Sequence, residues 1–154
     1  MAAEAEDRET SIAARIEELR AARLSSGVSL TTKYQRFHND KVLKTYNVGL
    51  GFAPEGHKQF EGDGKTPEGT YRISHRNPKS EFHLSLGISY PNDADRAFAA
   101  ENGKRPGGDI FIHGAPRKKV TKQDWTAGCI AVSDRQIETI YSMVKPGTPI
   151  HILP

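Results

Sequence analysis

One cysteine, one tryptophan and only 8% aromatic residues in 154 positions remove several of the usual ways of holding or equipping a small domain. A single thiol, Cys129, forbids an internal disulfide and makes a zinc–thiolate cluster implausible, so it is either an inert core residue or a chemical one. No apolar run approaches the ~20 residues that a membrane-spanning helix needs. Met1 to Arg20 lack the apolar stretch of a secretory signal, so export is expected to rely on a leader removed from this sequence or on an unusual route. Charge of one sign is lacking too. Against 22 basic residues stand 19 acidic ones, and the net +3 is too small to argue for nucleic acid. The densest basic run, Arg117, Lys118, Lys119 and Lys122, reads as a solvated loop. His38, His57, His75, His83 and His151 do not fall at metal-ligand spacing, so no metal is expected. Lys65-Thr66 lacks the glycine spacing of a phosphate-cradling loop, which argues against a nucleotide site.

What is present suffices for one ordinary domain, which at this length buries about 68–70% of its unfolded surface. Ala2 to Leu24 read as a helix with a thin stripe of Ile12, Ile16 and Leu19, stopped by Ser25, Ser26 and Gly27. We therefore divide the chain into an N-terminal helical segment or linker, 1–26, and a folded domain, 27–154. In the latter, Leu30–Phe37 and Val42–Leu50 predict a hairpin turned at His38-Asn39-Asp40, and Tyr71–Ser74 and Phe82–Ser89 predict further strands. Residues 60–69 are too rich in turn formers to be anything but an ordered loop. Asn92 can cap a short helix to Glu101 with Ala94, Ala97 and Phe98 on one face. Asp109–His113 is apolar on both parities, which predicts a central strand covered on both faces. Cys129–Val132 predicts another buried strand. It feeds a helix capped by Ser133 and Gln136, with Ile137, Ile140, Tyr141 and Val144 inward, and Thr148–Leu153 closes the chain as a strand. The sum is a mostly β fold with one or two flanking helices.

The chemistry concentrates at two residues. A free thiol is only a few per cent thiolate at neutral pH, so a cysteine nucleophile needs a neighbour that takes its proton. His113 ends one predicted strand and Cys129 opens the next, sixteen positions later (129 − 113). If those strands lie side by side, the two side chains meet at one sheet edge. Thr126-Ala127-Gly128-Cys129 puts small residues where backbone N–H groups can form an oxyanion hole. A lone buried cysteine is more often a small hydrophobe. Glycine after the histidine and before the cysteine favours the chemical reading.

Ile112-His113-Gly114 followed by Trp125-Thr126-Ala127-Gly128-Cys129-Ile130 resembles the signature of the L,D-transpeptidase (YkuD-like) catalytic domain. Thr66-Pro67-Glu68-Gly69 resembles that family's Thr-Pro-x-Gly turn, and Gly147-Thr148-Pro149-Ile150 its ending. The resemblance spans roughly residues 30–154. It implies a β-sandwich-like catalytic fold acting on peptidoglycan stem peptides through a cysteine thioester, with Cys129 as nucleophile, His113 as base and the Gly114 carbonyl orienting the imidazole. It further implies oxyanion donors near Ala127, Gly128 and Cys129, a turn shaped by Thr126, and no metal or organic cofactor. A periplasmic or secreted location, or delivery into another cell, follows from the same resemblance, as does a role in cell-wall biogenesis and cell shape. Trp125, Tyr90, Arg117 and Lys118 are candidate substrate contacts, although aromatics near a strand core more often serve packing. The chain departs from the family at Ala131, where arginine is common, and at Ala127, where histidine is common. Two alternatives stand beside transfer: water resolving the same thioester, which makes a peptidase, and a peptidoglycan-binding module impaired in catalysis.

Overall fold

Short β-forming runs separated by glycine and proline dictate a molecule made mostly of strands. The computed structural model describes residues 26–30, 33–39, 41–116 and 122–154, so the expected N-terminal helix and the basic residues Arg117, Lys118 and Lys119 lie outside the described residues. The strands are β1 (Gly27–Leu30), β2 (Lys33–His38), β3 (Lys41–Asn47), β4 (Gly69–Ser80), β5 (His83–Ile88), β6 (Phe111–His113), β7 (Ile130–Ala131) and β8 (Pro149–Ile152). Two helices, α1 (Asp93–Glu101) and α2 (Asp134–Met143), complete the described elements.

The eight strands run in the order β3-β2-β1-β8-β4-β5-β6-β7. β3 stands at one end, and its exposed Lys41 and Lys44 are the residue type that keeps a free sheet edge from pairing with another chain. β4 joins the two halves: Gly69–Arg72 pairs with β8, whereas Ile73 onward pairs with β5. The two ends of the order are also tied, because Gly49 bridges Ala131 and Gly51 bridges Thr126. Val28, Leu30, Ile73, Leu86, Ile112, Ile130 and Ile150, drawn from both halves, bury their side chains in one core.

Several expectations need correction. The predicted strand from Leu30 to Phe37 is two strands: Leu30 ends β1 and lies opposite Tyr34 of β2 in an antiparallel pair. β4 runs on to Ser80, well past the expected end at Ser74, because its second half is held by backbone pairing with β5 and carries exposed polar side chains. β6 is not central but next to last in the order, and it is covered by packing rather than by position.

The helices follow their caps. Asn92 and Asp95 form a capping box on α1, and Ser133 and Gln136 form one on α2. α2 turns Ile137 and Ile140 inward as predicted. α1 does not present the expected face: Phe98 is exposed and only Ala99 is buried. The reason is Asp95, one helical turn before Ala99, whose carboxylate accepts from Tyr71 Oη at 2.7 Å and lies 3.0 Å from His57 Nε2. Polar anchoring rather than the apolar stripe sets the rotation of this helix.

Ile112 is wholly buried and brings the core to the strand that carries His113. Ile112→Ala is expected to cost about 2–5 kcal/mol of stability, measured by urea unfolding, whereas Lys44→Ala on the exposed edge should stay within about 0.5 kcal/mol.

Candidate active site

The site begins with the register of two short strands. β6 and β7 are parallel neighbours, with Ile112 opposite Ile130 and His113 opposite Ala131. Side chains alternate along a strand, so Ile112 and Ile130 enter the core while His113 and Ala131 take the other face. Cys129 immediately precedes β7, and its sulfur meets the segment leading into β6 at the Asp109 carbonyl and the Phe111 N–H. The two strands expected to lie side by side do so, and Cys129 stands two positions before the residue paired with His113.

His113 is fixed from three directions. Its Nδ1 lies 2.8 Å from the Gly114 carbonyl oxygen. A carbonyl only accepts, so Nδ1 carries the proton and Nε2 keeps the lone pair. Phe82 stacks on the imidazole with ring centroids 4.3 Å apart, and Trp125 covers it at 5.7 Å. Gly114 has to be glycine: a Cβ there would lie 2.5 Å from Asp134 Oδ1 and 2.6 Å from the Phe82 carbonyl oxygen.

Cys129 follows a turn that its neighbours hold by the backbone. Thr126 Oγ1 donates to the Cys129 carbonyl at 2.6 Å and accepts from Gly128 N–H at 3.2 Å. Thr66, from the loop the sequence marked only as ordered, donates its hydroxyl to the Gly128 carbonyl at 2.9 Å and accepts from Gly51 N–H at 3.0 Å. Gly128 adopts φ 141°, and a Cβ on it would sit 2.8 Å from the Lys65 carbonyl oxygen. The thiol is half-buried and donates to the Asp109 carbonyl at 3.4 Å. Asp109 itself is left-handed, at φ 53°, a conformation Asp tolerates better than most residues.

Burial is the largest influence on the charge state of both His113 and Cys129. It holds the His113 imidazole below its ordinary value, against the opposing pull of the Gly114 carbonyl. It pushes the Cys129 thiol up; the Phe111 N–H opposes this, Asp109 adds to it and Lys58 opposes it. The resting pair is a neutral imidazole and a thiol.

Among the other sequence candidates, Trp125 is half-buried over the imidazole, and Ala127 is exposed beside the cysteine turn. Gly128 N–H is already engaged by Thr126, leaving Ala127 and Cys129 as the remaining backbone donors expected there. Tyr90 is built into the core, its hydroxyl donating to the Pro106 carbonyl at 2.6 Å. Sequence reasoning missed Phe82, Thr66, Lys58 and Asp109. Only Thr66 carried a signal, its place in the Thr-Pro-x-Gly turn. One cavity, of about 600 Å³, is lined by Leu50, Glu55, Thr66, Glu68 and Asp124 among others, and neither Cys129 nor His113 lines it. Another, of about 360 Å³, reaches Trp125 and Ala131.

The sequence pattern of the L,D-transpeptidase catalytic domain, YkuD, matches residues 27–152. The chain belongs to the YkuD family. Escherichia coli (strain K12) YafK, provisionally named an L,D-transpeptidase, is 29% identical over 136 residues, which are 82% of this chain and 48% of YafK. The chain thus spans about half the length of the curated relatives it matches. Its fold is shared with Campylobacter jejuni Pgp2, a helical cell shape determining protein, at 24% identity and a TM-score of 0.63, covering 83% of this chain and 48% of Pgp2. Mycobacterium tuberculosis L,D-transpeptidase 1 shares it at 14% identity and a TM-score of 0.55, covering 84% of this chain and 62% of that one. A mostly β YkuD fold with two helices is therefore established, as the sequence led us to expect.

The His113 environment has a measurable consequence. Because the folded value lies below the ordinary 6.5, the unfolded chain binds this proton more readily. The stability that His113 contributes is fully present above pH 6.5 and is lost as pH falls through the depressed folded value. An NMR titration of the His113 ring is expected to give a midpoint below 6.5, moving upward in Phe82→Ala as water reaches the ring. A wild-type midpoint at or above 6.5 would contradict this account of the burial.

Proposed function

We propose that this YkuD domain is a cysteine acyltransferase acting on peptidoglycan stem peptides, with Cys129 as nucleophile and His113 as general base and then acid. The observation that supports the reading is the parallel pairing of β6 and β7, which brings a tautomer-locked imidazole at the end of one strand near a half-buried thiol just before the other. Nε2 takes the thiol proton as sulfur adds to the donor carbonyl. The oxyanion that forms accepts from backbone N–H groups at Ala127 and Cys129. As the tetrahedral species collapses, the imidazolium returns the proton to the departing amine, and a thioester remains. An amine of a second stem then attacks the thioester, loses its proton to His113 and releases the cysteine. The L,D-transpeptidases among the structural neighbours and the YkuD family itself support this choice of substrate, which in turn implies work in the periplasm or outside the cell.

Incubation with a carbapenem, followed by intact-mass spectrometry, is expected to give a covalent adduct at Cys129 that Cys129→Ala abolishes. His113→Ala should slow its formation by about 10²–10⁴-fold, the usual worth of a positioned acid–base group. A folded wild-type protein that forms no adduct would instead fit a binding module. Muropeptide analysis then fixes the outcome of the thioester: new crosslinked dimers are expected, and shortened or released stems in their place would assign the site to hydrolysis.

A further inference from the structure

The mechanism above leaves unused an ion pair between a buried lysine and a partly buried aspartate. Lys58 is 3% exposed, and its ammonium donates to Asp63 Oδ1 at 3.0 Å and to the Phe60 carbonyl at 3.1 Å. Asp63 cannot move away, because its carboxylate also accepts from the backbone N–H groups of Gln59, Phe60 and Lys65 at 2.8, 3.0 and 3.1 Å. Burial alone would raise the Asp63 carboxyl; these N–H donors and Lys58 outweigh it and hold the group below its ordinary value, hence ionised. An ammonium has three N–H donors. Two are taken by Asp63 and Phe60, and no acceptor for the third is found among the described residues.

The position of this cation matters more than its pairing. Lys58 N–H donates to the Thr66 carbonyl at 3.2 Å, and Thr66 in turn holds the Gly128 carbonyl. On its other flank, the Lys58 stem passes Gly107, whose Cβ, if it had one, would lie 3.1 Å from Lys58 Cε. Gly107 is two residues before Asp109, whose carbonyl receives the thiol. The order along this edge is therefore Lys58 and Gly107, then Asp109 with the sulfur, then Phe111, then His113. Lys58 thus touches both segments that flank the cysteine, the Thr66 support of its turn and the Gly107–Asp109 approach to β6.

We propose that Lys58 is a positioning residue for the acyl-transfer site: a fixed positive charge beside the cysteine turn that favours the thiolate of Cys129. The inference rests on the reading of Cys129 as the nucleophile. A charge fixed in a poorly hydrated interior acts further than one in water, and Lys58 lowers the thiol against burial and against Asp109. The groups acting on the sulfur are then few: the Phe111 N–H of β6, Asp109 from the segment before β6, and Lys58, paired with Asp63, from the loop before β4. Ala131, opposite His113 on β7, brings no charge. The cation needs no contact with substrate, which suits its burial.

Because Cys129 is the only thiol in the chain, alkylation by iodoacetamide across pH reports its ionisation alone. Lys58→Met is expected to move the midpoint of that profile up, and Lys58→Arg to restore most of it. Asp63→Asn, which removes the counter-charge, should move it down. The opposite signs separate electrostatics from damage to the fold, and the Asp63 variant decides if Lys58→Met does not fold. Profiles of Lys58→Met and Asp63→Asn that superimpose on wild type overturn the proposal. A carbapenem adduct together with superimposed profiles removes Lys58 alone, whereas shifted profiles without any adduct remove the acyltransferase reading and leave the charge coupling standing.

Discussion

Everything at this site depends on the register of the parallel pair β6 and β7. With His113 opposite Ala131, alternation along each strand puts these two on one face and Ile112 and Ile130 on the other, in the core, with Cys129 just before β7. A slip of one residue in β7 alone would exchange those faces and expose Ile130. The pairing is short, so other contacts have to fix it. Val132 N–H donates to the His113 carbonyl at 3.0 Å, and Ala131 exchanges two hydrogen bonds with Gly49 on its far side. The bridge that ties the two ends of the strand order together is thus also what locks the register of the reactive pair.

The second support comes from the loop between β3 and β4. Thr66 touches both Gly51 and Gly128, so one hydroxyl joins the strand-end bridge to the turn that carries the cysteine. A side chain at Gly128 would strike the Lys65 carbonyl. The turn can approach this closely only without a Cβ, and the close approach leaves backbone amides rather than side chains facing the sulfur. A site made of backbone donors also tolerates change at Ala127 and Ala131, since neither side chain holds the turn.

That division explains what could be read in advance. His113, Cys129 and their flanking glycines were legible because chemistry demands those residue types at strand ends, and the caps at Asn92 and Ser133 because their partners lie three residues away. β1 was missed because four buried residues joined to another apolar strand look like one longer run. The second half of β4 was missed because backbone pairing holds its polar side chains, and no periodicity records that. Phe82 and Lys58 were invisible for a different reason. Each acts across the fold on a residue far away in sequence, and nothing in Ser-Glu-Phe-His or Gly-His-Lys-Gln marks the contact.

Burial opposes charge at both reactive atoms, and that has a mechanistic use under the proposed reading. A neutral thiol and a neutral imidazole cost little to enclose, whereas a permanent thiolate–imidazolium pair would pay desolvation at both ends before any substrate arrived. The dipoles that such a pair needs are nevertheless already set: the Gly114 carbonyl faces Nδ1 and the Phe111 N–H faces the sulfur. Both hydrogen bonds strengthen when charge appears on their partners. Proton transfer from Cys129 to His113 therefore meets a surrounding oriented for the product of that transfer, while the resting state keeps the form that burial prefers. The barrier is lowered at the moment charge separates, which is where preorganised dipoles contribute to rate rather than to ground-state binding.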